Sequence, residues 1–271
     1  MVVQGEIFYH KHHVVQVFSR VTGWQHAGEE LALRRLAPLV RSKRILDIGV
    51  GGGRTIPLLM LLSDHYVGID YSESMVAACR RRYPDVDVRI GDARELSGFD
   101  SGSFEFVFFS YNGIDTMDEQ GRQAVFQAVR RVLDERGLFA FCTFNKDGPS
   151  YRESPFQLHR PGTSWDHSAE ATARLLLRNA RDPRRVLRRS RNWRVARGRC
   201  FDHSGWATSA VAVSDFTLVN HFVTLSHLQR ELIEAGFDVV AIYGSDEDHG
   251  PLPADTSRCT DDSFYAVAQR S

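Results

Sequence analysis

Alternating glycines preceded by an acid are the residues of this chain whose spacing is most suited to chemistry. They follow an apolar, β-branched run within residues 45–55, and the acid is Asp47, two positions before the first glycine. The glycines are Gly49, Gly51 and Gly53. Because glycine has no Cβ, such a loop can turn tightly and let a ligand approach the main chain and the next helix N-terminus. The spacing departs from the dinucleotide fingerprint, since Arg54 stands at its third glycine position.

Two further acids end apolar runs later in the chain. Asp70 closes residues 65–70, and Asp92 follows residues 86–90 after one glycine. The first interval leaves room for a short helix, so residues 45–70 are predicted to form a β-α-β unit. A carboxylate at the end of its second strand can accept hydrogen bonds from both ribose hydroxyls of an adenosine. A helix cap is the alternative explanation of Asp70.

Taken in order, these segments resemble the motifs of the class I S-adenosylmethionine (SAM) dependent methyltransferases. The resemblance extends over residues 28–144, more loosely over residues 217–270, and includes an apolar fourth strand within residues 103–112. One departure lies in the turn before the fifth strand, where Glu135-Arg136 replaces the family's Pro-Gly. We expect Gly137 to preserve that turn.

The resemblance implies that SAM is the cofactor and indicates which residues hold it. In the family, the second-strand acid binds the ribose, and the acid after the third strand receives the adenine amino group. The cofactor-binding residues implied are Asp47, Gly49, Gly51, Gly53, Asp70, Tyr71, Met75, Asp92, Ala93 and Ser110. The family's fourth strand ends at the transferred methyl group, so Tyr111 and Asn112 are the candidate catalytic residues.

A methyl acceptor that must lose a proton needs a base, and histidine is the usual one. The candidates are His12, His13 and His203, for each of which a surface or structural role is the alternative. Aromatic residues in the segments expected to cover the strand ends are predicted to bind the acceptor, with core packing as the alternative. They are Tyr9, Trp24, Trp165, Trp206 and Phe222. A pocket with such a lining suits a planar or cyclic small molecule.

The predicted fold is α/β, with a doubly wound, mostly parallel seven-stranded sheet of the Rossmann-like methyltransferase type. We expect an N-terminal cap and first helix in residues 1–40 and a SAM-binding core in residues 41–144. An inserted helical and aromatic substrate cover is expected in residues 145–216, and a closing helix with the last two strands in residues 217–271. In the first helix, Glu29 is expected on the solvent face.

Arginines crowd residues 174–199, inside the predicted cover. The first interpretation is an amphipathic helix whose arginines pair with surface acids. Nucleic-acid binding, with Trp193 stacked on a base, is one alternative. A subunit contact and an anionic substrate are the others.

Composition narrows the classes of partner. Lys plus Arg and Asp plus Glu each number 34, so the net charge gives no reason to expect an acidic partner. The four cysteines form no C-x-x-C pair, which argues against a zinc site or a disulfide framework and favours a reducing compartment. His10 to His13 lack metal-ligand spacing, and no apolar run is long enough to span a membrane. We therefore predict a cytoplasmic protein without a metal or membrane partner, and leave a homodimer open.

These observations favour a SAM-dependent methyltransferase that acts on a small aromatic or cyclic metabolite, at oxygen, nitrogen or a ring carbon. The pattern is similar to bacterial methyltransferases of secondary metabolism. A tRNA or rRNA methyltransferase that uses the arginine-rich helix is one alternative. A non-catalytic SAM-binding protein is another, and the presence of Asp47, Asp70 and Asp92 argues against it.

Overall fold

A computed structural model describes residues 27–155, 182–245 and 250–271 of the chain. The helices are α1 (Ala27–Val40), α2 (Ile56–Met60), α3 (Glu73–Arg82), α4 (Glu119–Val132), α5 (Pro183–Arg197) and α6 (Leu225–Glu234). The strands are β1 (Ile45–Ile48), β2 (Tyr66–Asp70), β3 (Val88–Ile90), β4 (Phe104–Phe109), β5 (Leu133–Asn145), β6 (Trp206–Ala210), β7 (Val219–Val223), β8 (Phe237–Gly244) and β9 (Ser263–Arg270). Three 3-10 turns lie at Gly113–Thr116, Pro149–Arg152 and Ala212–Ser214.

The main sheet has the strand order β3-β2-β1-β4-β5-β9-β8. Its first five strands are parallel, whereas β9 runs antiparallel to both β5 and β8. This arrangement confirms the predicted fold class. The strand order reverses between β1 and β4, and open α/β sheets bind their ligands at such a reversal, beyond the carboxyl ends of the strands.

Helices cover both faces of the sheet, because alternate residues of the central strands point in opposite directions. Phe106 and Phe108 of β4 pack in one core cluster with residues of α1, α2 and α3. Val107 and Phe109 pack in the other cluster with residues of α4 and α6. Both clusters are closed to solvent, so the strand ends are held on a rigid base.

The turn expected before β5 is a bulge inside that strand. Phe104 of β4 pairs with Leu133, but Phe106 pairs with Leu138, so β5 carries extra residues between the two pairs. The residue in the left-handed region is Arg136, with φ 67°, and not Gly137 as expected. Gly137 instead avoids a steric clash, since a Cβ there would lie 2.9 Å from an Asp134 carboxylate oxygen.

The closing helix and strands form as the sequence predicts. Thr224 caps α6, because its Oγ1 accepts a hydrogen bond from the backbone N–H of His227 at 3.3 Å. Gly236 follows the helix with φ 81°, a conformation that favours glycine. The chain then enters β8, and β9 returns beside β5.

The insert between β5 and α6 contributes α5, β6 and β7. Strands β6 and β7 pair antiparallel, and β7 joins the sheet beside Phe144 and Asn145, the last two residues of β5. Helix α5 packs beside β6, with Ala196 in a small core cluster that includes Ala210 and Phe216. No helix in the described part of the chain is long and apolar enough to cross a membrane.

Candidate functional site

The three glycines of the loop after β1 all have positive φ, but they differ in the space that surrounds them. Their φ angles are 68° at Gly49, 53° at Gly51 and 85° at Gly53. A Cβ at Gly53 would lie 2.5 Å from the Tyr83 ring, and one at Gly49 would lie 3.0 Å from the Phe109 ring. At Gly51 the nearest atom would be a carbonyl oxygen 3.9 Å away. Gly51 therefore presents the open side of the loop, where a ligand can approach the backbone.

Asp70 connects this open side to the carboxyl end of β2. Its Oδ2 accepts a hydrogen bond from the Gly51 N–H at 2.9 Å, and its Oδ1 accepts one from the Ser72 N–H at 2.8 Å. Ser72 itself caps α3, so helix capping does not account for Asp70. Ribose binding by Asp70 stays a prediction.

Asp47 lies beneath the loop and not on its open side. The carboxylate is 1% exposed and accepts hydrogen bonds from Thr55 Oγ1 at 2.6 Å and Tyr66 OH at 2.8 Å. Burial raises the pKa of Asp47 to about 6, although these hydrogen bonds oppose the shift. Met75 is also 1% exposed. We correct the expectation of direct cofactor contact for these two residues, because their side chains are enclosed by the fold.

A buried ion pair holds the loop to the first helix. Arg54 donates to Glu29 through Nη1 at 2.8 Å and Nη2 at 2.6 Å. Its Nη2 also donates to Ser110 Oγ at 2.9 Å, and Ser110 Oγ donates to Glu29. The expectation that Glu29 faces solvent is wrong: it is 0% exposed, because Arg54 supplies a buried counter-ion. The pair joins α1, the glycine loop and the end of β4.

Tyr111 stands at the outer edge of this ion pair. Its backbone has φ 56°, which is uncommon for a bulky residue and is associated with functional sites. The residue is 38% exposed, and the Arg54 guanidinium lies 5.5 Å from the ring centroid. Burial raises the pKa of the phenol. The structure therefore keeps Tyr111 as a candidate at the end of β4.

Asn112 is a correction to the predicted catalytic pair. Its Nδ2 donates to Asp115 Oδ2 and Ser263 Oγ, both at 3.2 Å, and its Oδ1 accepts from Cys142 Sγ at 3.2 Å. The residue is 8% exposed. Both ends of the amide are thus used inside the fold, and Asn112 secures the turn after β4 instead of facing a methyl group.

Asp92 follows β3, and its carboxylate is engaged by a near neighbour. Arg94 donates from its backbone N–H at 2.8 Å and from Nε to both carboxylate oxygens at 3.0 Å. Partial burial acts to raise the pKa of Asp92, but these hydrogen bonds outweigh it and lower the pKa. Ala93 is 6% exposed and Tyr71 is half-buried. Contact of Asp92, Ala93 and Tyr71 with the cofactor stays a prediction.

Aromatic rings gather at the end of β5, beside β4. Phe144 stacks on Phe222 with centroids 5.0 Å apart, and Tyr151 lies 5.4 Å from Phe222. Phe222 is 0% exposed, so it supports the cluster from within, whereas Phe144 and Tyr151 are half-buried. Phe222 is therefore corrected from an acceptor contact to a packing residue. Sequence reasoning missed Tyr151, which has no neighbouring motif to mark it.

Trp206 is enclosed by two histidines on the insert. Its ring centroid lies 4.2 Å from that of His203 and 5.1 Å from that of His221. His221 is buried and shares a hydrogen bond of 2.9 Å with Glu119, while His203 is exposed. Burial chiefly lowers the pKa of His221. Acceptor binding by Trp206 and proton removal by His203 stay predictions.

Several predicted site residues lie outside the described part of the chain. They are Tyr9, His12, His13, Trp24 and Trp165. Within residues 27–155, 182–245 and 250–271, no cluster of three or more His, Cys, Asp or Glu residues could hold a metal ion.

Comparison with known proteins finds similarity over the part of the chain that contains the glycine loop. A family described as a methyltransferase domain matches residues 45–137. A probable SAM-dependent methyltransferase of Mycolicibacterium smegmatis is 33% identical over 117 residues, which cover 43% of this chain and 44% of that protein. A demethylmenaquinone methyltransferase of Thermotoga maritima is 29% identical over 122 residues, covering 44% and 49%. The chain thus spans less than half the length of these curated relatives.

Solved structures share the fold over most of the chain. A SAM-dependent methyltransferase from Mesorhizobium loti has a TM-score of 0.58 and 20% identity, and the match covers 90% of this chain and 98% of that one. A Burkholderia thailandensis 1,6-didemethyltoxoflavin-N1-methyltransferase, with bound 1,6-didemethyltoxoflavin and S-adenosylhomocysteine, has a TM-score of 0.59 and 12% identity, covering 100% and 88%. Residues 45–137 thus match a methyltransferase domain, and the chain shares its fold with solved SAM-dependent methyltransferases.

Proposed function

We propose that this protein transfers the methyl group of SAM to a small aromatic or cyclic metabolite, at oxygen, nitrogen or a ring carbon, in secondary metabolism. The observation that carries the proposal is the position of Tyr111. Its partly exposed ring lies against Arg54, the residue that follows the glycine loop, so an acceptor that contacts Tyr111 also lies next to the cofactor loop.

The residues present fit the cofactor. The side of the loop at Gly51 is open, and a ligand there would occupy the space that a Cβ would otherwise take. In our proposal the open side of the loop at Gly51 receives the methionine end, Asp70 receives the ribose, and Asp92 with Ala93 receives the adenine. When bound, SAM supplies a methyl group already activated by the sulfonium. The protein is then required mainly to orient the acceptor.

Orientation is the contribution that we assign to the ion pair of Glu29 and Arg54. A buried bidentate pair resists rotation of the guanidinium, because two parallel hydrogen bonds fix its plane. The Tyr111 ring lies beside that guanidinium, at 5.5 Å from the ring centroid. Holding two reactants in line and free of water can supply roughly 7 to 11 kcal/mol of a barrier.

The class of acceptor follows from the surroundings of Tyr111. β4 and β5 are adjacent, with Phe109 paired to Phe141, so Tyr111 and the half-buried Phe144 follow at the same edge of the sheet. Tyr151 adds a further half-buried ring. Aromatic walls favour flat, apolar ligands. Small-molecule acceptors also occur among the proteins similar to this one, since two of these are named for demethylmenaquinone and for 1,6-didemethyltoxoflavin.

We further propose that residues 1–40 and 145–216 close over the cofactor and the acceptor. The insert follows directly from β5, and β7 returns beside the last residues of that strand, next to the aromatic cluster. If the acceptor must lose a proton, we assign that role to His203, which is exposed, with His12 and His13 in reserve.

No observation favours the nucleic-acid alternative for the reaction. Three arginines of α5 bind a surface acid, as the first interpretation of this helix predicts: Arg185, Arg188 and Arg189 all pair with Asp215. The non-catalytic alternative is disfavoured by Asp70, which is retained and connected to the loop.

Incubation with isotopically labelled SAM and a metabolite extract tests the proposal, with mass detection of a methylated product. We expect a product that carries the label and is absent with Asp70→Ala. Tyr111→Phe, which keeps the ring but removes the hydroxyl, is expected to lower kcat about tenfold while SAM affinity is retained. A wild-type protein that binds SAM tightly but methylates nothing in such extracts would contradict the small-molecule proposal.

A further inference from the structure

One side of helix α5 combines arginines with exposed aliphatic side chains. Spacings of three and four residues place Arg184, Leu187, Arg191, Arg194 and Val195 on this side, which we call the basic face. All five residues are exposed, and the exposed fractions are 71% for Leu187 and 67% for Val195. This side of α5 therefore combines positive charge with exposed aliphatic side chains.

The residues of the basic face are not those through which α5 contacts the rest of the protein. Ala196 packs against the insert core on the other side of the helix, and the Arg197 guanidinium lies 4.8 Å from the Trp193 ring centroid. Three arginines bind Asp215: Arg185, Arg188 and Arg189. In contrast, the three arginines of the basic face have no acid partner among the described residues. No acid occurs anywhere in the helix sequence, so this face stays positive.

We propose that the basic face docks on a membrane surface that carries anionic lipid headgroups. The arginines complement the headgroup charge, and Leu187 and Val195 enter the boundary between headgroups and acyl chains. The contact is peripheral and needs no spanning helix. It revises the expectation of a protein without a membrane partner, and it does not depend on the proposed function.

Nucleic acid would pair with the arginines of the basic face but would not bury its aliphatic side chains. Phosphate binding uses positive charge, whereas stacking on bases uses aromatic rings or arginine planes. Leu187 and Val195 offer neither, and both would stay in water beside a phosphate backbone. Trp193, the one aromatic residue of α5, is half-buried with Arg197 against its ring. Because of these aliphatic residues, a lipid surface fits the basic face better than nucleic acid does.

Vesicle co-sedimentation of the full chain tests this proposal. Vesicles of phosphatidylcholine alone are compared with vesicles that also contain phosphatidylglycerol, at low and at raised salt. One variant reverses the charge of the basic face, with Arg184→Glu, Arg191→Glu and Arg194→Glu. A second removes its apolar part, with Leu187→Ser and Val195→Ser. The matched control reverses three exposed arginines outside the insert, with Arg35→Glu, Arg41→Glu and Arg81→Glu.

We expect binding to anionic vesicles only, weaker at raised salt, and reduced at least about tenfold by the charge reversal on α5. The serine variant should also bind more weakly, and the control triple should keep most of the binding. Thermal unfolding shows whether each variant is folded. No binding of the wild type to anionic vesicles, or an equal loss in the control, would overturn the proposal. The proposal would also be overturned if the serine variant kept full vesicle binding and the arginines proved necessary for binding tRNA or duplex DNA.

Discussion

Arg54 and Arg122 are both buried and both bind carboxylates, but they serve different parts of the molecule. Arg54 forms a bidentate pair with one acid, Glu29, and lies beneath Tyr111. Arg122 joins two acids, through Nε to Glu231 at 2.7 Å and through Nη1 to Asp115 at 2.9 Å. The first pair fixes the edge of the candidate site.

The second ion cluster binds together elements far apart in the chain. Arg122 belongs to α4, Asp115 to the turn after β4 and Glu231 to α6, and Arg122 Nη1 also donates to Thr143 of β5. Arg122 Nη2 has no hydrogen-bond partner among the described residues, and neither has Glu231 Oε2. We infer that the cluster around Arg122 determines stability, while the pair around Arg54 determines the geometry at Tyr111.

Removal of Arg122 is expected to have the largest effect on stability. Arg122→Met leaves Asp115 and Glu231 buried without a counter-ion, so the free energy of unfolding should fall by about 4 to 5 kcal/mol. Denaturant unfolding measures the loss. The matched control is Arg188→Met, whose partner Asp215 is partly exposed, and for which we expect at most about 1 kcal/mol. Equal losses for the two variants would contradict the assignment of the Arg122 cluster.

Removal of Arg54 should lower the free energy of unfolding less than removal of Arg122, but should lower enzyme activity more. Arg54→Met leaves only one buried carboxylate unpaired, so we expect a loss of about 3 kcal/mol. Adding Glu29→Leu removes that carboxylate and should restore much of the stability. It should not restore turnover, because Tyr111 still lacks the guanidinium beneath its ring. If the double variant regains full kcat, the pair is a packing feature and does not position the site.

A third, smaller effect depends on pH. Burial raises the pKa of Asp47 from 3.8 to about 6, so the folded state binds the proton more tightly than the unfolded state. This contribution to stability is fully present below about pH 4 and is lost as the pH rises through about 6, by at most about 3 kcal/mol. Asp47→Asn should show a flatter profile of unfolding free energy over that window. A variant as pH-dependent as the wild type would show that Asp47 is not the titrating group.

Local patterns in the sequence were sufficient to predict the elements that carry the cofactor loop. The run before Asp47, the glycine spacing and the acid at Asp70 each act within one β-α-β unit, and the structure forms that unit. The Thr224 cap is equally local. Periodicity and spacing suffice where the residues that determine a structure lie a few positions apart.

Residues whose environment depends on distant partners were not predicted. Glu29 is buried because Arg54 pairs with it across 25 positions, and Asn112 is used inside the fold because Ser263 lies beside it. A helical pattern places Glu29 on the polar side, and no short-range signal shows that this side is covered. The engagement of Asp92 by Arg94 was within reach of sequence reasoning, since only two positions separate them.

The most direct test of the central claim concerns Gly51, at which we propose that the cofactor meets the open side of the loop. Calorimetric titration of S-adenosylhomocysteine compares Gly51→Val with the control Gly102→Val. Both positions have positive φ, 53° and 72°, and both have free space for a Cβ, so the backbone strain is matched. We expect Gly102→Val to bind like the wild type and Gly51→Val to show no binding while still folded. Normal binding by a folded Gly51→Val would contradict the account.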